Sequence, residues 1–97
     1  MIYEFEAEVW LYSAGAGGWH FITVPPDISE GLRVLRGPAR NFGSMRVMAG
    51  IGETRWRTSI FPDKGRGAFV LPVKLDVRRR EGLSAGDCPR VTLEVEV

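Results

Sequence analysis

The stretch SMRVMAGIGETRWRTSIF, residues 44–61, decides the fold. Met45, Val47, Ala49 and Ile51 alternate with Ser44, Arg46, Met48 and Gly50. After Gly52-Glu53, Trp56, Thr58 and Ile60 alternate with Arg55, Arg57, Ser59 and Phe61. Period two on both sides of a glycine-containing dipeptide predicts two antiparallel strands joined by a tight turn, each burying one face.

The same alternation recurs on both sides. Tyr3, Phe5, Ala7, Val9 and Leu11 oppose Glu4, Glu6, Glu8, Trp10 and Tyr12, which reads as one strand. Ser13 to Gly18 reads as a longer connection, and Trp19 to Val24 as the second arm of a hairpin. Pro25-Pro26 stops that arm. Asp27 and Glu30 resemble a capping box, and Ile28, Leu32 and Leu35 share a helical face, predicting a helix near 27–36 that Gly37-Pro38 ends. Downstream, Pro62 to Gly67 is a polar loop and Ala68 to Leu71 a strand closed by Pro72. Val73 to Glu81 reads as a second helix with Gly82 at its C′ position, and Arg90 to Val97 as the last strand. The chain is therefore mainly β: about six strands and two short helices, expected to form a small closed barrel or sandwich.

The 97 residues make a single domain, 1–97, that can bury about 65% of its unfolded surface. A 44% apolar and 26% charged composition is that of a folded soluble chain. Thirteen Lys and Arg against twelve Asp and Glu leave a net charge of +1, which argues against strong non-specific binding to nucleic acid or anionic membrane. One cysteine, Cys88, excludes an intrachain disulfide, and with one histidine, His20, it excludes a zinc site of N and S ligands. No basic leader and no apolar run of 18 residues is visible, so a cytoplasmic location is expected.

Catalytic groups are sparse. His20 reads as a strand-surface histidine and Cys88 as an incidental thiol. Glu4, Glu6, Glu8, Glu94 and Glu96, with Arg46, Arg55 and Arg57, read as sheet-surface ion pairs. The glycine-rich segments 15–18 and 65–67 lack a following helix and the Gly-Lys-Ser/Thr ending of a phosphate loop. Arg78-Arg79-Arg80 reads as a solvated helix end rather than a track for phosphates. The densest grouping of donors surrounds the second helix start. Lys74 there stands where a helix favours anions, so an anion held by Lys74, Thr58 or Ser59 and the free helix amides would account for it. Trp19, Arg57, Thr58, Ser59, Lys74 and Arg78 form the candidate ligand-binding set, with no metal and no cofactor expected.

These residues also carry a resemblance. Trp19-His20-Phe21-Ile22-Thr23-Val24-Pro25 resembles the Trp-x-Phe-x-x-x-Pro element of the bacterial and archaeal domain of unknown function 1905. Residues 46–52 with 56–62 are similar to its central hairpin, and Leu71-Pro72-Val73-Lys74, Val77-Arg78, Gly82-Leu83 and Gly86-Asp87 to its closing helix and turn. Cys88-Pro89 departs from the family, which continues directly into its last strand; Pro89 defers that strand to Arg90. The resemblance implies a double-split β-barrel, related in shape to AbrB-like transcription factors and antitoxins, and no settled activity. Three functions follow as expectations: first, a non-catalytic binding module for a small anion or peptide carboxylate; second, a nucleic-acid-binding or antitoxin-like dimer, suggested by fold analogy alone; last, an enzyme. A monomer or weak homodimer is expected, with no membrane partner.

Overall fold

A computed structural model describes residues 1–14, 17–38 and 43–95. Seven strands and two helices follow in the order β1 (Ile2–Glu6), β2 (Val9–Ala14), β3 (Gly17–Thr23), α1 (Pro26–Arg36), β4 (Met45–Ile51), β5 (Thr54–Asp63), β6 (Ala68–Pro72), α2 (Leu75–Glu81) and β7 (Arg90–Val95). The sheet order is β1-β7-β4-β5-β6-β3-β2, and every neighbouring pair is antiparallel.

The central hairpin forms as the alternation requires. Ile51 pairs with Thr54 across the Gly52-Glu53 turn, and the register runs to Met45 opposite Ile60. Met45, Val47, Ala49 and Ile51 are buried, with Ile60 from β5. They join Val91, Leu93 and Val95 of β7, Phe5, Val9, Ile22, Phe69 and Leu71 in one core.

The expected closed barrel of about six strands is corrected to an open half-barrel of seven. The N-terminal run is two strands rather than one. β1 pairs with β7, whereas β2 pairs with β3 at the other end of the sheet. Between them the Ala7 amide donates to Pro89 O and the Val9 amide to Asp87 O, so the chain steps from one half-sheet to the other. β5 makes the equivalent step: Thr54–Ile60 pair with β4, and Phe61–Asp63 with β6. Because β1 and β2 run end to end rather than side by side, no ladder joins the two ends of the sheet order.

Other boundaries move too. The β2–β3 ladder extends to Ala14 opposite Gly17, so most of the expected connection 13–18 is strand, leaving its tip, residues 15 and 16, outside the described residues. The last strand starts at Arg90 as expected; residues 96 and 97 also lie outside the described residues.

α1 follows Pro25 without a side-chain cap, so the Asp27–Glu30 box does not form. Glu30 instead pairs with Arg33. The polar anchor is Ser29: its buried hydroxyl donates to Val24 O at 3.0 Å and accepts from the Phe69 amide at 3.0 Å. α2 starts at Leu75 rather than Val73, because the Val73 amide donates to His20 O and prolongs the β3–β6 ladder. Gly82 ends α2 in the left-handed region (φ +63°) and directs the Leu83 amide to Arg78 O.

Candidate functional site

Strand parity divides the four strand-borne candidates, Trp19, Arg57, Thr58 and Ser59, between two faces. Thr58 shares the inward parity of Trp56 and Ile60, whereas Arg57 and Ser59 share the outward parity of Arg55. Trp19 is exposed on the outer face of β3, stacked toward Phe21 at 6.5 Å between ring centroids. The β3–β6 register, continued two residues past Phe21–Pro72, puts Trp19 across from Lys74. Lys74 is the exposed N-cap of α2 and not a residue of its first turn, as had been expected. One of the amides expected to face an anion there already binds a carboxylate, since Asp76 Oδ1 accepts from the Val77 amide at 3.0 Å.

The inward-facing polar group lies against α2. Arg78 is half-buried and its Nε donates to Val73 O at 3.3 Å. His20, expected on the strand surface, faces inward with the parity of Ile22 and is half-buried. Its Nδ1 is buried without a hydrogen-bond partner, and so is Trp56 Nε1. Burial first, and the nearby Arg78 guanidinium second, hold the His20 pKa below its ordinary 6.5. Both causes favour the neutral imidazole.

Of the outward-facing candidates, Arg57 lines a groove. Met48 stands opposite Arg57 on one side and Glu94 on the other, with Arg46 two residues along β4. Arg46, Val47, Met48, Arg57 and Glu94 enclose a groove of about 260 Å³. Glu94 is engaged by Arg55 at 3.0 Å, as the expected surface ion pairing requires, and Arg90 likewise reaches Glu4 and Glu6 at 3.4 and 3.7 Å. The same expectation is corrected for Arg46 and Arg57: among the described residues neither makes an ion pair. Two guanidinium groups thus line a groove with a methionine floor, a geometry suited to a carboxylate or phosphate.

Arg46 was absent from the candidate set although its signal lay in the sequence. A two-residue turn at 52–53 fixes Met48 opposite Arg57, and parity then puts Arg46 on the same face. Among the described residues no group of three or more His, Cys, Asp or Glu is arranged to hold a metal, and no helix is long and apolar enough to cross a membrane. Cys88 is exposed in the turn before β7.

Fold and groove together define a β-rich domain built on an open half-barrel, with an arginine-flanked groove on its outer face. The chain belongs to the family described as domain of unknown function (DUF1905), which matches residues 5–93. No curated protein matches it.

Proposed function

We propose that this domain is a non-catalytic binding module that holds a small anion or a peptide carboxylate between Arg46 and Arg57. The supporting observation is the pair of guanidinium groups lining the Met48 groove, Arg57 across from Met48 and Arg46 two residues along β4, which make no ion pair among the described residues, while Arg55 engages Glu94. A charged hydrogen bond contributes about 1.5–3 kcal/mol, so each arginine accounts for roughly tenfold or more in affinity. This moves the anion site from the α2 start, where Asp76 supplies negative charge, to the outer face of β4 and β5.

Titration of the 15N-labelled protein with phosphate, sulfate, acetate and succinate at low salt tests the proposal. Saturable shifts at Met48, Arg46 and Arg57 are expected. Arg57→Gln should weaken binding about tenfold or more, whereas Lys74→Ala should leave it unchanged. No saturable shift, or binding lost with Lys74→Ala and kept with Arg57→Gln, would overturn it.

A further inference from the structure

β2 is the last strand in the sheet order and is bonded on one side only. At Val9 its open side is closed: Val9 N donates to Asp87 O, and Val9 O accepts from Gly86 N, both at 2.8 Å. In an antiparallel strand both polar groups of a residue point to the same side, and the side alternates. Leu11 and Ser13 therefore turn their amides and carbonyls away from β3, toward the open edge. Among the described residues nothing covers them.

The segment is also neutral. Val9 to Ser13 carries no charge and no proline, the devices that blunt an edge. The opposite edge, β1, carries Glu4 and Glu6 on either side of Phe5. Self-pairing there would crowd like charges, whereas self-pairing of β2 would not. The β2–β3 hairpin also exposes large apolar side chains. Leu11 is 49%, Tyr12 53% and Trp19 62% exposed, and all three lie on the β2–β3 hairpin. Trp10 and Phe21, 5.1 Å apart, continue the aromatic face beside them.

We infer that β2 is a homodimerisation edge: two copies pair antiparallel about a two-fold axis at Tyr12, joining their half-barrels into one continuous sheet. This register uses every free polar group just described. Leu11 exchanges two hydrogen bonds with Ser13 of the second copy, and Ser13 two with its Leu11. The two Tyr12 residues face each other as the non-hydrogen-bonded pair, with Cα atoms about 4.5 Å apart. Pairing ends before Val9, whose groups the 86–87 segment already holds. Tyr12 and Trp19 of each copy offer about 100 Å² apiece at the axis. Those four side chains make roughly a third of the 1,200 Å² at which stable interfaces begin, and the paired backbones and Leu11 add to them. The interface therefore lies at the weak end of the range, where dimers form only at high protein concentration.

Sedimentation equilibrium from 5 to 500 µM, with amide hydrogen exchange at both ends of that range, tests the inference. A concentration-dependent dimer is expected, with exchange at Leu11 and Ser13 slowed about tenfold or more in the dimer and exchange along β1 unchanged. Tyr12→Cys in a Cys88→Ser background should form a disulfide-linked dimer on mild oxidation, since the expected Cα separation lies within disulfide range. Leu11→Pro removes only an outward amide, so it should give a folded monomer. A protein that stays monomeric at 500 µM, or a dimer that protects β1 and not Leu11 and Ser13, overturns the inference. So does a Tyr12→Cys protein that does not cross-link.

Discussion

Ser29 shows how much one side chain can hold. It is fully buried in α1 and joins that helix to the end of β3 and to β6 through two 3.0 Å hydrogen bonds. Ser29→Ala leaves the Phe69 amide and the Val24 carbonyl buried without this partner, which should cost about 2–3 kcal/mol, read from urea unfolding. Ser29→Thr keeps the hydroxyl and tests whether the loss comes from the hydrogen bonds. His20 gives a different prediction, in pH. Its folded pKa lies below the unfolded value of 6.5, so the unfolded chain binds the proton more readily. The stability it contributes is complete above pH 6.5 and is lost as pH falls through 6.5 toward the folded pKa. A 1H titration of this single histidine should show the depressed pKa. Arg78→Gln should raise it part of the way back, because the arginine is the smaller of the two causes.

At the level of elements, the β4–β5 turn and α2 are coupled. Gly52 has φ +58°, and a Cβ there would clash with Glu81 Oε1. The other Glu81 oxygen accepts from Thr54 Oγ1 at 2.6 Å, so the end of α2 is fastened over the turn. Gly52→Ala should cost about 1–2 kcal/mol in backbone strain and should further displace Glu81. Glu81→Ala in the same chain should recover only the second part, and a double-mutant cycle in thermal unfolding separates them. The central hairpin was legible because the buried set of β4 and β5 is local: its spacing alone states which face turns inward and, with a two-residue turn, the register. The break between β1 and β2 was not legible. Phe5, Ala7 and Val9 keep one alternating phase through it, and what ends β1 is pairing with Pro89 and Asp87, some 80 residues away in the chain. The capping box failed for a related reason: Pro25 already fixes the entry to α1, and Glu30 finds Arg33 one turn on. The candidate site was half legible. Arg57 stands in the groove, but choosing residues around the α2 start mixed the two faces of β5, because adjacent residues in a strand point opposite ways.

On the scale of the molecule, two half-sheets share one core while, among the described residues, two stretches of chain pass between them in strand form, the β1–β2 step and the bend within β5. An open sheet of this kind could unfold in halves if each half buried its own apolar set. It does not: Val47, Leu93 and Val95 of the first half belong to the same buried cluster as Val9, Ile22 and Leu71 of the second. One contiguous core predicts one transition. The tryptophans report on it separately, Trp56 from the first half and Trp19 from the second. Single-tryptophan proteins retaining one or the other should give superimposable denaturation curves. Val9, fully buried just past the β1–β2 step, sharpens the test. Val9→Ala removes two buried methyl groups and should cost about 2 kcal/mol, lowering Tm by roughly 10 °C. With a shared core, the Trp56 and Trp19 probes move together by that amount although Val9 belongs to the second half-sheet. A shift confined to the Trp19 probe would mean that the halves fold separately and that the β5 bend is a linker rather than part of one cooperative unit.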